Sequence, residues 1–176
     1  KSRLEQFRVD KKLENNNAIL QNDFEKMEEL LNYLYIASTS FFRDKNSFEF
    51  AQYELHKLLK EHPLEQEFRV WVVGSSTGEE VYSLAIMIRE ECEKLQMAQK
   101  RVKIFATDIN LENLAFGESG IFHARFVENI SSERRRRFFE KQENQYQITP
   151  LIKSMVVFYP HNVVEHDPFF NLDFIS

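Results

Sequence analysis

The residues of this sequence that could do chemistry surround a turn between two glycines. An apolar run ends at Gly74, the turn closes at Gly78, and Glu79 and Glu80 follow where a helix is predicted to begin. Further along, a second apolar run ends at Asp108. A glycine in such a turn lets the backbone approach a ligand, and an acid at the end of the second strand can accept both hydroxyls of a ribose. The pattern predicts a site for a nucleoside-containing cofactor.

The two glutamates bear on which cofactor this site takes. NAD and FAD place a pyrophosphate at the N-terminus of the first helix, where backbone N–H groups and the helix dipole favour anions. Glu79 and Glu80 would add negative charge there, and only G-x-x-x-G is present instead of G-x-G-x-x-G. S-adenosylmethionine has no phosphate and carries a sulfonium and an ammonium. Such acids can also simply complement the helix dipole, but together with Asp108 they favour S-adenosylmethionine over NAD.

A parallel sheet is needed to hold these residues in place. Strands are predicted at Phe68–Val73, Val102–Thr107 and Met155–Phe158, with the start of another at Asp173–Ser176 and a short one at Tyr146–Ile148. Helices are predicted at Glu79 to about Gln96, at Leu111–Phe116 closed by Gly117, and from Ser131 or Ser132 to Phe139. This alternation predicts an α/β fold of the Rossmann-like type.

The first part of the chain has a different pattern. Residues 1–23 are polar and predict a helical arm or linker, and residues 24–64 predict a small all-α domain. The second helix of that domain is expected at Phe48–Leu59, with Ser47 as a possible N-cap. Residues 65–176 are assigned to the Rossmann-like domain, which we expect to be incomplete at its C-terminus.

Composition narrows the class of protein. The net charge of -5 gives no general reason to expect nucleic-acid binding, and the run Arg134–Arg137 is interpreted as a solvated helix face balanced by Glu128, Glu133 and Glu140. The one cysteine, Cys92, excludes an internal disulfide and fits a reducing cytoplasm. No apolar run approaches the ~18 residues of a membrane span. We expect a cytoplasmic protein with no membrane insertion, no nucleic-acid partner and no metal.

Several blocks of sequence resemble CheR-type chemoreceptor glutamate methyltransferases. The blocks are Thr39–Asp44, Gly74–Ala85, Ala106–Ile109, His161–Val164 and Leu172–Ser176. They read T-S-F-F-R-D, G-S-S-T-G-E-E-V-Y-S-L-A, A-T-D-I, H-N-V-V and L-D-F-I-S, in the family's order. The resemblance runs from about Leu30 to Ser176, and Met155–Val164 is most similar to the CheR module of CheB/CheR fusion proteins.

The resemblance implies a fold, an activity and partners. The fold would be a Rossmann-like S-adenosylmethionine-dependent methyltransferase domain preceded by a small all-α domain. The reaction would move a methyl group to a glutamate side chain of a chemoreceptor or related signalling protein, giving a methyl ester and S-adenosylhomocysteine. CheB-type and sensor domains would be fused or separate partners, and we expect the receptor-tail-binding β-subdomain to be absent. Two alternatives stay open: a non-catalytic module that binds S-adenosylmethionine or S-adenosylhomocysteine, and an NAD-dependent oxidoreductase.

Arg43 is the catalytic residue that the resemblance implies. Together with Thr39 it would reach the cofactor from the helical domain, and its guanidinium would bond the cofactor carboxylate or steer the incoming glutamate. Arg43 could instead be a surface arginine paired with Asp44 or Glu49. A glutamate carboxylate is already a nucleophile at neutral pH, so we expect positioning groups and no general base.

The other implied site residues contact the cofactor. Gly74 would let the backbone approach it, and Glu79 or Glu80 would bind its ammonium or order the turn. Asp108 would accept both ribose hydroxyls, unless it caps the following helix. Asn162 and Val163 would flank the adenine, and the alternative for Asn162 is an ordinary turn residue.

Overall fold

The structure is a computed structural model that describes residues 39–176. The chain divides between Thr39 and Ser40, and the compact unit Ser40–Ser176 is described below. The predicted arm and the first helix of the all-α domain, predicted at Phe24–Ala37, lie outside the described residues. The division at residues 23 and 64 therefore stays a prediction.

Helices and strands alternate along this unit. The helices are α1 (Lys45–Glu61), α2 (Glu79–Lys94), α3 (Leu111–Ser119), α4 (Ser132–Phe138) and α5 (Pro150–Lys153). The strands are β1 (Phe68–Val73), β2 (Val102–Asp108), β3 (Ile121–His123), β4 (Phe139–Gln142), β5 (Gln145–Ile148), β6 (Val156–Pro160) and β7 (Phe174–Ile175). Within residues 39–176, no helix is both long and apolar enough to cross a membrane.

Four of the strands form the predicted parallel sheet, in the order β6-β2-β1-β7. Val73 pairs with Thr107, and Asp108 pairs with Pro160. The carboxyl ends of β1, β2 and β6 therefore meet at one edge of the sheet, which is where open α/β sheets bind ligands. The α/β fold with a parallel sheet is confirmed.

Different parts of the chain pack on the two faces of this sheet. Helix α2 packs on one face, where Val70, Val72 and Ile104 are fully or almost fully buried. On the other face, the ring of Phe169 stacks on Phe105 with centroids 4.9 Å apart. The chain between β6 and β7 therefore covers part of the second face.

The other three strands form a separate antiparallel sheet, in the order β3-β5-β4. The sequence predicted only the strand at Tyr146–Ile148, which is confirmed as part of β5. The expectation that a β-subdomain is absent is therefore wrong as far as the sheet itself is concerned. The other two strands could not be predicted from the sequence because β3 and β4 have only three and four residues. In addition, β4 follows α4 directly, so its residues were assigned to the end of the predicted helix.

Two predicted helix ends differ from the structure. Asp44, and not Ser47, caps α1: its carboxylate accepts hydrogen bonds from the N–H of Asn46 at 3.1 Å and of Ser47 at 3.3 Å. Gly117 does not close α3 but lies inside it, and the left-handed Gly120, with φ +66°, ends the helix. A side chain at residue 117 would collide with the ring of Phe158, so packing explains this glycine.

The arginine run on α4 is not simply a solvated face. Arg134 and Arg137 pair with Glu90 and Glu93 of α2. Of the three acids expected to balance the charge of this run, Glu133 has its Oε1 atom 3.7 Å from Nη1 of Arg137. Spacing along the sequence suggested neighbours on the same segment, whereas the packing of α4 on α2 supplies most of the partners.

Candidate cofactor site

The turn between β1 and α2 has an unusual backbone. Gly74, Ser76 and Gly78 all have positive φ, at +67°, +47° and +94°. A Cβ on Gly78 would lie 3.1 Å from Cζ of Phe158, so neighbours crowd this glycine. A Cβ on Gly74 would meet no atom within 4 Å. Conformation therefore favours glycine at residue 74, and the space beside it is open.

Asp108 joins this turn to the next one. Its Oδ2 accepts a hydrogen bond from the N–H of Ser76 at 2.8 Å, and its Oδ1 accepts one from the N–H of Asn110 at 2.9 Å. Asn110 caps α3, because its side chain accepts from the N–H of Glu112 and Asn113. Asp108 is therefore not the helix cap. Each carboxylate oxygen can accept a further hydrogen bond, as ribose binding requires.

The two glutamates at the start of α2 have different surroundings. Glu79 is 1% exposed, and its Oε2 accepts a hydrogen bond from Oγ1 of Thr77 at 2.6 Å. Glu80 is exposed, and its Oε1 accepts one from Oγ of Ser176 at 2.6 Å. Glu79 thus orders the turn, whereas Glu80 is placed to meet a ligand.

Glu80 and Arg43 line the same open cavity of about 250 Å³. The other lining residues are Asp44, Ser47, Phe48, Ala51, Leu84 and Ser176. Asp44 is already the cap of α1, since it accepts hydrogen bonds from Asn46 and Ser47, and those from Ser47 lower its pKa. A guanidinium and a carboxylate in one cavity can bind the carboxylate and the ammonium of an amino-acid group.

A third part of the candidate site follows β6. The N–H of His161 donates to the carbonyl oxygen of Asp108 at 3.0 Å, which brings residues 161–163 beside the end of β2. Oδ1 of Asn162 accepts from the N–H of Val164 at 3.0 Å, so this side chain holds its own turn, as the alternative predicted. Val163 is 55% exposed. Contact of Asn162 and Val163 with adenine stays a prediction.

Two serines that the sequence analysis did not select belong to the first turn. Oγ of Ser75 and Oγ of Ser76 are buried, and neither has a hydrogen-bond partner within the described part of the chain. Leaving a buried polar group unpaired costs about 1–3 kcal/mol. A polar cofactor would relieve that cost, so these residues fit a ligand such as S-adenosylmethionine. In the sequence, these two residues could have been recognised as candidate site residues because they form a serine pair between Gly74 and Gly78.

The segment that carries Arg43 contacts the first turn of α2. Oγ of Ser83 accepts from the N–H of Phe42 at 3.1 Å and donates to the carbonyl oxygen of Glu79 at 2.6 Å. Phe42, the residue before Arg43, therefore contacts the E-E-x-Y-S block. Thr39 lies before the compact unit Ser40–Ser176, and its role stays a prediction.

A parallel sheet with a glycine turn after its first strand and an acid at the end of the second defines a Rossmann-like domain that binds a nucleoside-containing cofactor. The family description "CheR methyltransferase, SAM binding domain" matches residues 37–176. The chain belongs to this family, and its cofactor is S-adenosylmethionine. Neither the NAD alternative nor the non-catalytic one receives support from the family match.

This chain is similar in sequence to parts of longer proteins, as three curated relatives illustrate. It is 32% identical over 159 residues to an uncharacterised 104.1 kDa protein of Rhodobacter capsulatus, covering 90% of this chain and 17% of the relative. It is 30% identical over 141 residues to a chemotaxis protein methyltransferase of Borreliella burgdorferi, covering 78% and 50%. It is 36% identical over 111 residues to one of Salmonella typhimurium, covering 62% and 35%. The chain thus spans at most half the length of these relatives.

Proposed function

We propose that this chain is the cofactor-binding part of a methyltransferase that esterifies glutamate side chains of a chemoreceptor or related signalling protein. The observation that carries the proposal is the shared cavity of Arg43 and Glu80, beside the turn whose backbone bonds Asp108. The names of the chemotaxis methyltransferases of Borreliella burgdorferi and Salmonella typhimurium support the choice of acceptor.

Glu80, Asp108 and Gly74 each have a distinct role in this proposal. Glu80 binds the ammonium of the cofactor, because Glu79 is buried and bonded to Thr77. Asp108 accepts the ribose hydroxyls while its carboxylate keeps both turns in place. Gly74 leaves room for the backbone to approach the cofactor.

Three further sets of residues complete the proposed contacts. Ser75 and Ser76 give their unpaired hydroxyls to polar atoms of the cofactor. Asn162 and Val163 flank the adenine, with the amide at its edge. Thr39 contacts the cofactor from the preceding segment.

Arg43 is the proposed catalytic residue. When bound, S-adenosylmethionine supplies a methyl group on a good leaving group, and the acceptor glutamate is already ionised at neutral pH. The protein must therefore orient an existing nucleophile. Such orientation can lower the reaction barrier by roughly 7–11 kcal/mol. Arg43 does so by a two-pronged bond to one of the two carboxylates present, that of the cofactor or that of the acceptor.

The wider protein is proposed to be a cytoplasmic signalling enzyme. An all-α domain over residues 24–64 would precede the Rossmann-like domain, and CheB-type or sensor domains would be fused to it or act with it. The match to only 17% of a 104.1 kDa relative supports a multidomain setting. The acidic net charge supports the absence of a nucleic-acid partner.

Calorimetric titration with S-adenosylhomocysteine, with NAD as control, tests the cofactor, and radiolabelled methyl transfer to a chemoreceptor cytoplasmic fragment tests the reaction. Both use the full-length protein that carries this chain. We expect micromolar binding of S-adenosylhomocysteine alone, and a base-labile label on the receptor that is lost when its acceptor glutamates are replaced by alanine. Binding without transfer would contradict the enzymatic proposal in favour of a non-catalytic module.

Arg43→Ala separates the two roles of the arginine. If Arg43 holds the cofactor, the variant binds S-adenosylhomocysteine more weakly. If it steers the acceptor, cofactor affinity is kept and KM for the receptor fragment rises. A large loss of thermal stability with neither change would indicate a structural arginine instead.

A further inference from the structure

The backbone directly before Arg43 is held in an unfavourable conformation. Phe42 has φ +49°, in the left-handed region that residues with a side chain rarely adopt. Such residues persist only where the surrounding structure enforces them, and they cluster at functional sites. The contacts of Phe42 therefore decide where the next side chain, that of Arg43, points.

Arg134 of helix α4 covers the ring of Phe42. Its guanidinium carbon lies 4.3 Å from the centre of that ring. The same guanidinium makes a two-pronged bond to Glu90 of α2, with Nε 2.9 Å from Oε1 and Nη2 2.7 Å from Oε2. A planar guanidinium can bond a carboxylate along its edge while its face covers an aromatic ring, and a lysine cannot do both.

The pair is also partly shielded from solvent. The side chains of Arg134 and Glu90 are 28% and 11% exposed, so water and salt screen it less than an open surface pair. On its other sides, Phe42 is held by the hydroxyl of Ser83 and meets the ring of Phe48 edge-on at 5.3 Å. Arg134 thus adds a contact from α4 to Phe42, whose other contacts named here come from α1 and α2.

We infer that Arg134 is a positioning residue for methyl transfer: by clamping Phe42 to Glu90, it aims Arg43 into the cavity that Glu80 lines. This rests on the proposed function of Arg43. Arg134 itself does not line that cavity, so its effect passes through Phe42.

The antiparallel sheet contacts the same segment through Phe41. Phe41 is 1% exposed and meets Phe122 of β3 at 4.9 Å and Phe139 of β4 at 5.5 Å, both edge-on. Phe41 therefore fixes where the segment enters the core, and Arg134 fixes how it turns afterwards.

The chain offers a matched control for the test. Arg137 lies on the same helix and pairs with Glu93 on the same partner helix, but its guanidinium covers the ring of Phe138 at 4.7 Å and not that of Phe42. Arg137→Ala therefore removes a salt bridge between α4 and α2 without uncovering Phe42.

Hydrogen exchange gives a readout that does not depend on activity. The exchange rate of the Phe42 N–H, which donates to Ser83, is compared in Arg134→Ala and Arg137→Ala of the full-length protein. We expect Arg134→Ala to raise it at least severalfold and Arg137→Ala to leave it unchanged. Equal rates in the two variants would overturn the inference.

A double-mutant cycle with Arg43→Ala tests the catalytic side. Arg134→Ala is expected to lower kcat/KM roughly tenfold in the wild-type background and to add nothing to Arg43→Ala, since a residue that acts through another gives non-additive effects. Arg134→Lys should not restore activity. Additive losses, or a loss equal to that of Arg137→Ala, would overturn positioning. If the wild type neither binds S-adenosylhomocysteine nor transfers methyl groups, the proposed function fails, and the exchange experiment still decides whether Arg134 clamps the turn.

Discussion

The N–H of Ser76 donates a hydrogen bond of 2.8 Å to Oδ2 of Asp108, so the residue proposed to bind the ribose also fixes the turn proposed to hold the cofactor. Ser76 has φ +47°, which a serine adopts only where contacts enforce it. Asp108 supplies one such contact. Binding and local folding are thus linked through one carboxylate.

Replacing Asp108 should therefore change both affinity and stability. Asp108→Ala removes the acceptor of two backbone N–H groups, and we expect the free energy of unfolding to fall by about 1–3 kcal/mol. Affinity for S-adenosylhomocysteine should fall strongly as well. Urea unfolding and calorimetric titration measure the two effects. Asp108→Asn, which keeps one acceptor oxygen, should be milder in both, and unchanged affinity in the alanine variant would contradict the placement of the ribose.

Replacing a glutamate by glutamine should weaken cofactor binding at residue 80 but lower the stability of the protein at residue 79. Glu80→Gln removes an exposed charge from the cavity, so it should weaken binding of S-adenosylhomocysteine with a change in stability within about 0.5 kcal/mol. Glu79→Gln alters a buried group bonded to Thr77, so it should lower the thermal unfolding temperature. Weaker binding in Glu79→Gln with unchanged binding in Glu80→Gln would reverse our assignment of the ammonium site.

Replacing Gly117 by a larger residue should destabilise the protein. A Cβ at this position would lie 2.4 Å from Cε1 of Phe158, and overpacking of this kind costs about 1–3 kcal/mol. We expect Gly117→Ala to lower the free energy of unfolding, measured in urea, although alanine favours a helix by ~1 kcal/mol. Combining it with Phe158→Leu should restore part of the loss. A stabilised single variant would mean that the ring moves aside at little cost.

Glu91 should make the packing of α1 on α2 sensitive to acid. Burial raises its pKa, but hydrogen bonds from Gln52, Lys94 and His56 outweigh burial and leave the pKa below the ordinary value of 4.5. A depressed pKa in the folded state means that the ionised carboxylate stabilises the fold above about pH 4.5, and that this stabilisation is lost as the pH falls through the folded value.

Urea unfolding of the wild type and of Glu91→Gln between pH 7 and pH 3 tests this. The difference in unfolding free energy should be constant at higher pH and narrow below about pH 4.5. Glu61→Gln, at an exposed glutamate that ends helix α1, is the control variant and is measured in the same way. A difference independent of pH would mean that Glu91 acts by shape and not by charge.

Much of the parallel sheet could be predicted because its signals are local. The runs ending at Val73 and Asp108 are apolar, are bounded by turn residues and flank a helix with a buried face, which is sufficient to predict β1, α2 and β2. The antiparallel sheet could not be predicted in this way. The residues of β4 beyond Phe139 are exposed, so β4 has no alternating apolar pattern, and it exists because it pairs with β5.

By itself, the sequence determined the kind of site: a turn at Gly74–Gly78, two acids at a helix start and Asp108 at a strand end are local features that imply one cofactor class. Only the tertiary structure decided which acid faces the cavity. Neighbouring residues on a helix point about 100° apart, so docking of α2 on the sheet buried Glu79 and exposed Glu80. The same holds for Arg134, whose contacts with Glu90 and Phe42 join segments far apart in the chain, and no pattern along the sequence records such a contact.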